Sequence, residues 1–203
     1  MVIKDAVFIK SVASRDGFLK SEKPIIAIAG KSNVGKSTFI NMLANKNKLA
    51  KTSNTPGRTR LINYFDFGEC IVADLPGYGF AKVSKSEKEK WAHLMEQFFA
   101  ETEIAHVFSL VDIRHDPTQD DYMMVNYLYQ YALPLSLIAT KADKLGKSKV
   151  KPQAQAVANK LKVGAGNIIP VASLVRKGRE EVLDKMSAII ENFYALKNET
   201  DEE

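Results

Sequence analysis

The sequence predicts an α/β fold in which a mostly parallel six-stranded sheet, with one antiparallel edge strand, carries helices on both faces. Two observations lead to this prediction. Short apolar runs alternate with helical stretches after residue 24, and only Gly68 and Glu69 separate the second run from the third. Most of the strands should be parallel because the helices between them can act as crossovers, whereas a two-residue connection indicates an antiparallel hairpin.

The elements follow from periodicity and from turn residues. Strands are expected at Ile25–Ala29, Leu61–Phe67, Cys70–Asp74, His106–Val111, Leu135–Thr140 and Ile168–Val171. Helices are expected at Lys36–Ala44, Glu87–Phe99, Gln119–Tyr131, Lys149–Leu161 and Gly178–Tyr194. The N-terminal extension (residues 1–23) contains a weak strand pattern at residues 6–12. The acidic segment 195–203 is expected to be disordered.

Length and composition limit the kinds of protein that this chain can be. The chain has 203 residues, of which 45% are hydrophobic and 26% charged, so we expect one domain over residues 1–203. Cys70 is the single cysteine, which excludes an internal disulfide and fits a reducing compartment. We see neither a membrane-spanning run nor a signal peptide. We therefore expect a cytoplasmic protein, a monomer, with no membrane or DNA partner.

The net charge is +5, and the basic residues crowd into four predicted loop regions. These are Lys46–Arg60, Lys82–Lys90, Lys141–Lys151 and Arg176–Arg179. Each cluster taken alone is compatible with a solvated surface, while four clusters on loops favour a polyanionic partner.

The segment after the first predicted strand matches the phosphate-loop pattern GxxxxGK[ST]. It comprises Gly30, Lys31, Ser32, Asn33, Val34, Gly35, Lys36 and Ser37, and the helix continues from Thr38. Backbone N–H groups of such a loop and of the following helix bind phosphates. Lys36 can reach the outer phosphates, and the Ser37 hydroxyl can bind Mg²⁺. The sequence therefore predicts nucleoside triphosphate binding on a P-loop NTPase fold.

Two further motifs lie at predicted strand ends, where ligands bind in such sheets. Asp74, Leu75, Pro76 and Gly77 have the DxxG form, in which the carboxylate holds Mg²⁺ and the glycine N–H senses the γ-phosphate. Thr140, Lys141, Ala142 and Asp143 match [NT]KxD. The Asp143 carboxylate can accept two hydrogen bonds from guanine, which adenine cannot supply. Contacts to guanine are also expected from Val171, Ala172 and Ser173.

The segment between the phosphate loop and the hairpin is polar and contains Pro-Gly. We expect it to act as a switch that completes the Mg²⁺ shell through a hydroxyl, for which Thr55 and Thr59 are both eligible. The predicted nucleotide contacts here are Gly57, Arg58, Thr59, Arg60 and Leu61. A second switch is expected at residues 78–82.

The motifs GKSNVGKS, TPGRT, DLPGYGFAKV, VDIRHD and TKAD, in this order, closely resemble the EngB (YihA/YsxC) family of bacterial GTPases. The resemblance implies a Ras-like G domain of the TRAFAC class, Mg²⁺-dependent GTP hydrolysis, and a role in assembly of the large ribosomal subunit with effects on cell division. It favours Thr59 over Thr55 and gives Lys36, Thr59 and Gly77 the catalytic roles. Ala172-Ser173 stands where the family usually has two serines.

The residue after DxxG is Tyr78 rather than the water-orienting glutamine of Ras-like proteins. We therefore expect slow intrinsic hydrolysis that a partner or an ion accelerates, with K⁺ held through Asn33 as one hypothesis. Val111–Asp116 has no assigned chemical role beyond an ordinary pair between Asp112 and Arg114.

Three functions are compatible with these motifs. The first is a GTPase switch that docks on ribosomal RNA, with Lys82, Lys85, Lys88 and Lys90 as candidate contacts. The second is a guanine-nucleotide sensor that binds a protein partner and hydrolyses GTP incidentally. The third, a small-molecule kinase, is disfavoured because the sequence shows no arginine-containing lid and because TKAD predicts guanine recognition.

Overall fold

The computed structural model of the chain describes residues 3, 5–51, 61–79 and 84–201. Within these residues one sheet has seven strands: β1 Val7–Val12, β2 Ile25–Gly30, β3 Ile62–Asp66, β4 Ile71–Asp74, β5 Ile104–Asp112, β6 Leu135–Thr140 and β7 Ile168–Pro170. Five α-helices occur in the same ranges: α1 Lys36–Leu43, α2 Lys85–Glu101, α3 Gln119–Gln130, α4 Lys147–Lys160 and α5 Arg179–Asp201.

Strand order across the sheet is β1-β3-β4-β2-β5-β6-β7. The five strands β4, β2, β5, β6 and β7, adjacent in this order, are parallel. Strand β3 pairs antiparallel with β4 through the predicted hairpin. Side chains of β2 alternate between the two faces: Ile25 and Ala27 join the apolar layer under α2, α3 and α4, while Ile26 and Ile28 join the layer under α1 and α5. The α/β fold class with helices on both faces is therefore confirmed.

The number of strands differs from the prediction of six. The segment with only a weak pattern forms β1, which pairs antiparallel with β3 and covers the edge of the sheet. A register irregularity between Phe8 and Lys10 interrupts the alternation of side chains along this strand, and Val7, Phe8 and Ile9 are exposed. The local pattern is weak for this reason, and pairing with β3 stabilises the strand instead.

The C-terminal segment also differs from its prediction. Helix α5 continues to Asp201, so most of the segment 195–203 that was expected to be disordered is helical. Lys197 pairs with Glu22 of the N-terminal extension, a contact between distant parts of the chain that composition does not reveal. No helix in the described ranges is long and apolar enough to cross a membrane.

Candidate functional site

The phosphate loop connects β2 to α1 in the predicted strand–loop–helix arrangement. Gly35 precedes the helix with φ 110°, a conformation that favours glycine. Among the described residues no side chain caps this helix end, so its first N–H groups are available to bind an anion. A Cβ on Gly30 would lie 2.9 Å from Val34 Cγ1 and 3.0 Å from Leu110 Cβ. The loop therefore packs against β5 at its start and presents backbone donors at its end.

Lys36 and Asp74 form the charged centre of the site. Burial lowers the pKa of Lys36, and the nearby Asp74 opposes this shift. The Lys36 ammonium donates to the carbonyl of Gly30 at 3.4 Å. Burial raises the pKa of Asp74 to about 6, against the opposing effects of Lys36 and of the neighbouring Asn63 side chain. A buried opposite pair of this kind is typical of a site that receives additional charge from a ligand.

The donor set fits a hard divalent cation. In the part of the chain that the structure describes, Asp74 Oδ1 is buried and has no hydrogen-bond partner. Carboxylate and hydroxyl oxygens are the ligands that Mg²⁺ prefers. Ser37, in the first turn of α1, would supply the hydroxyl beside this carboxylate.

Asn63 is a site residue that the sequence analysis missed. It lies opposite Asp74 in the β3–β4 register, and its side chain is near enough to that carboxylate to lower the pKa of Asp74. Ser11 of β1 in turn donates to Asn63 Oδ1 at 2.6 Å. The antiparallel strand β3 thus places a polar side chain beside the candidate metal ligand. Only the predicted hairpin register, followed from Asp74 across to β3, would have pointed to this residue.

The DxxG segment folds over the phosphate loop. Ser32 N donates to the carbonyl of Tyr78 at 2.9 Å. A Cβ on Gly77 would lie 3.0 Å from Lys36 Nζ and 3.2 Å from the backbone of Ser32, so a glycine is needed for this close approach. Leu75 anchors the segment, because it is 2% exposed. Trp91 of α2 donates its indole N–H to the carbonyl of Pro76 at 3.1 Å.

The Tyr78 side chain contacts helices α2 and α3. Its hydroxyl donates to Asp121 Oδ1 at 3.0 Å, and its ring packs edge-on against Trp91 with the centroids 6.4 Å apart. Burial and the neighbouring Asp121 raise the pKa of Tyr78 well above its ordinary value. The phenol is therefore neutral and already bonded, which makes it a poor group for orienting an attacking water.

The predicted base-reading turn meets the phosphate loop directly. Thr140 Oγ1 donates to the carbonyl of Val34 at 2.8 Å. Lys141 adopts φ 62°, and its ammonium donates to the carbonyl of Asn33 at 2.9 Å. Asp143 is the middle residue of the short 3-10 turn that follows, Ala142–Lys144, and Lys144 Nζ lies 3.4 Å from its carboxylate. The structure thus brings the TKAD and GKSNVGKS motifs into one site.

The loop after β7 lies beside this turn. Ala142 N donates to the carbonyl of Val171 at 3.1 Å. Ala172 is buried and pairs with Lys177 through backbone hydrogen bonds, so Ser173 starts a turn at the same edge of the sheet as Asp143. The three predicted positions in this loop are therefore brought next to the TKAD turn.

Part of the predicted site lies outside the described residues. This applies to Thr55, Gly57, Arg58, Thr59 and Arg60 of the first switch, and to Phe80, Ala81 and Lys82 of the second. Leu61, directly before β3, is described and is partly buried.

Comparisons with known proteins agree with the motifs. A sequence profile of the family described as "50S ribosome-binding GTPase" matches residues 25–141. A protein of Exiguobacterium sp. described as "Probable GTP-binding protein EngB" is 42% identical over 193 residues, which are 94% of this chain and 98% of the relative. The chain belongs to the EngB family. The expected resemblance is confirmed, and membership of the EngB family makes the chain a GTPase.

Solved structures place the chain among P-loop GTPases by fold. The crystal structure of a probable GTP-binding protein EngB superposes with a TM-score of 0.63 at 22% identity, over 83% of this chain and 99% of the other. Era in complex with MgGDPNP and nucleotides 1506–1542 of 16S ribosomal RNA superposes with a TM-score of 0.65 at 23% identity, over 82% of this chain and 56% of Era. At these identities the likeness concerns the fold alone.

Proposed function

We propose that this EngB-family protein is a slow GTPase switch that docks on the large ribosomal subunit during its assembly and leaves after GTP hydrolysis. The observation that carries the proposal is the junction of two motifs: Lys141 and Thr140 contact the phosphate loop directly. A guanine base held at Asp143 and phosphates held at Lys36 would then belong to one nucleotide. We propose that the protein acts in the cytoplasm. An effect on cell division would be a further consequence of this function.

We infer the roles of the residues from the motifs, and the contacts of the described residues support them. Lys36 would neutralise the outer phosphates, and the Gly77 N–H would hydrogen-bond the γ-phosphate. Asp74 and Ser37, together with Thr59 from the first switch, would hold Mg²⁺. This ion would supply charge neutralisation as the phosphate leaves. Asp143 would select guanine by accepting hydrogen bonds from its N1–H and its amine.

The placement of Tyr78 supports the proposal that intrinsic hydrolysis is slow. The phenol is bonded to Asp121 and buried, so the residue after DxxG leaves the attacking water to another group. We propose that K⁺ held through Asn33, or a group from the ribosomal partner, fills this role. Asn33 is exposed at the phosphate loop, which leaves its side chain available.

A ribosomal partner is supported by family and by charge. The matching profile is that of a 50S ribosome-binding GTPase family, and the chain carries a net charge of +5. Lys85, Lys88 and Lys90 are exposed on α2, directly after the second switch. RNA contacts at this place would change when the nucleotide state changes.

Co-sedimentation with purified large ribosomal subunits tests the switch. We expect binding with a non-hydrolysable GTP analogue and not with GDP, and we expect this binding to weaken when salt is raised from 50 to 200 mM. The matched variant replaces Lys85, Lys88 and Lys90 by Gln, and should sediment less while its nucleotide affinity is unchanged.

The second candidate is a nucleotide sensor that binds a protein partner. The bonded state of Tyr78 favours it, because low turnover suits a sensor. Absence of sedimentation in every nucleotide state and at both salt concentrations would reject the ribosomal switch and favour the sensor.

A further inference from the structure

Asp112, the last residue of β5, is the centre of a charged cluster to which the roles above assign nothing. Arg114 holds its carboxylate in a fork, with Nε 2.9 Å from Oδ1 and Nη2 2.8 Å from Oδ2. The backbone N–H of Arg114 also donates to Oδ1 at 3.1 Å. Paired contacts of this kind fix the plane of a carboxylate as well as its position.

The same carboxylate holds the lysine of the TKAD motif. Lys141 Nζ lies 2.9 Å from Asp112 Oδ2 and 2.9 Å from the carbonyl of Asn33 in the phosphate loop. Burial by itself raises the pKa of Asp112, but the hydrogen bonds from Arg114 and Lys141 outweigh it and hold this pKa well below its ordinary range. The ammonium therefore bridges a permanently charged carboxylate and the phosphate loop.

Sheet register explains why these groups meet. Asp112 and Thr140 are direct neighbours in the parallel pairing of β5 with β6, so the residue after each of them leaves the same edge of the sheet. Lys141 then turns back through a left-handed conformation, φ 62°, which strains the backbone of a non-glycine residue. The contacts of its ammonium offset this strain.

Burial alone does not hold Lys141 in place. A cavity of about 280 Å³ adjoins the cluster and is lined by Asp112, Asn33 and Lys141 among others. The Lys141 side chain is 30% exposed and that of Asp112 is 20% exposed. An ammonium with access to solvent has other conformations available, and a fixed partner is needed to select one of them.

We propose that Asp112 is a positioning residue for nucleotide binding: it fixes Lys141 between β5 and the phosphate loop, so that the base-reading turn and the phosphate-binding loop are held at one spacing. Arg114 orients the carboxylate for this purpose. The inference rests on the proposed guanine-reading role of the TKAD turn. It also gives the VDIRHD segment a role beyond an ordinary ion pair.

Asp112→Asn is the direct test, because the amide keeps the shape and removes the charge. We expect a fluorescent GDP analogue to dissociate about tenfold faster from this variant in stopped flow, as expected for loss of one charge-assisted contact. Single-turnover hydrolysis at saturating GTP should change less than dissociation does, because Asp112 reaches the phosphate loop only through Lys141.

A double-mutant cycle with Lys141→Ala separates positioning from a general structural effect. In the Lys141→Ala background, Asp112→Asn should change the dissociation rate by less than about twofold, because its partner is gone. Asp116→Asn is the matched control. Asp116 lies in the same connection and pairs with Lys160 at 2.6 Å on the surface, and its loss should leave dissociation unchanged.

Equal effects of Asp112→Asn in both backgrounds would overturn the inference, as would an effect no larger than that of Asp116→Asn. If Asp112→Asn does not fold, Arg114→Gln replaces it: dissociation should accelerate about threefold, and no acceleration would overturn the inference.

Asp143→Asn, measured in parallel, tests the proposed function on which this inference rests. This variant should lose GDP affinity and gain xanthosine diphosphate affinity, since the amide donates where guanine also donates. Unchanged guanine preference would reject the base-reading role itself. A changed preference without an effect of Asp112→Asn would reject only the positioning role.

Discussion

At the scale of single residues, His106 shows how a titratable group is kept neutral inside the sheet. Its Nε2 lies 3.0 Å from Ser136 Oγ on the neighbouring strand β6, and its ring packs edge-on against Phe108 with the centroids 5.3 Å apart. Burial, with a smaller effect of Lys185, lowers the pKa of His106 from 6.5 to about 4. The folded state therefore favours the neutral imidazole.

The free energy of unfolding should consequently decrease as the pH is lowered, because His106 resists protonation in the folded state. The unfolded chain takes up a proton below pH 6.5, whereas the folded chain takes it up only below about 4. The stabilisation is thus present above pH 6.5 and is lost as pH falls towards 4. Between pH 7 and 5 the free energy of unfolding of the natural protein should drop by about 2 kcal/mol more than that of His106→Gln.

Urea unfolding at both pH values measures this difference. His93→Gln, an exposed histidine of α2, is the control and should retain the pH dependence of the natural protein. Parallel pH profiles for the natural protein and His106→Gln would contradict the assignment.

Tyr78 makes a second prediction at the same scale. Tyr78→Phe removes the donor to Asp121 Oδ1, a buried acceptor, and should lower the free energy of unfolding by about 1–2 kcal/mol. Intrinsic GTP hydrolysis should change by less than about twofold, because the hydroxyl is already bonded to Asp121 of α3.

Tyr129→Phe is the control for Tyr78→Phe: it removes the same hydroxyl group, but from an exposed tyrosine. The Tyr129 hydroxyl donates to the carbonyl of Lys162 at 3.1 Å on the surface, so its loss should cost less than about 0.5 kcal/mol. A large fall in turnover of Tyr78→Phe, with stability unchanged, would instead indicate that the phenol takes part in hydrolysis.

At the scale of elements, the end of α1 shows how one helix secures another. Arg179, the first residue of α5, donates from Nε to the carbonyl of Met42 at 2.9 Å and from Nη2 to that of Leu43 at 2.8 Å. Carbonyls in the last turn of a helix have no partner within it, and a cation there complements the helix dipole. Arg179, counted among the basic loop residues from the sequence, is thus committed to the interior contacts of the fold.

We expect Arg179→Met to lower the free energy of unfolding by about 2 kcal/mol, because two carbonyls lose charge-assisted hydrogen bonds while the apolar part of the side chain is kept. Arg176→Met, in the exposed turn before α5, should change it by less than about 0.5 kcal/mol. Equal midpoints for both variants in thermal or urea unfolding would rule out this role for Arg179.

At the scale of the whole molecule, the strand ends gather the separate motifs. β2 leads into the phosphate loop, β4 ends at Asp74, β5 at Asp112 and β6 at Thr140. Four parallel strands therefore place their functional residues at one edge of the sheet. The fold is stabilised by two apolar layers, one on each face of the sheet. The edge at the strand ends is therefore available for polar groups.

Turnover of the whole protein should depend on K⁺ if Asn33 contributes as proposed. We expect GTP hydrolysis at least about tenfold faster in K⁺ than in Na⁺ at equal ionic strength, because a positioned cation stabilises developing charge. Asn33→Ala should abolish this difference between the two ions while retaining GDP binding. Equal rates of the natural protein in K⁺ and Na⁺ would exclude the hypothesis.

Much of the site is visible in the sequence because its signals are local. A phosphate loop needs glycines at fixed spacing between a strand and a helix, so Gly35, Lys36 and Ser37 identify it within eight residues. Asp74 and Asp143 are recognisable for the same reason, since each follows an apolar strand in a short motif. The alternation of strands and helices likewise determines the fold class, because parallel strands require crossovers.

The contacts between distant groups become visible only in the folded chain. The strand β1 depends on pairing with β3, Asn63 reaches Asp74 across a hairpin, and Tyr78 bonds Asp121, which is 43 positions away. Asp112 and Lys141 are 29 positions apart and meet because β5 and β6 end side by side. Contacts of this kind leave no periodicity in the sequence, since they depend on sheet register and on packing between elements rather than on neighbouring residues.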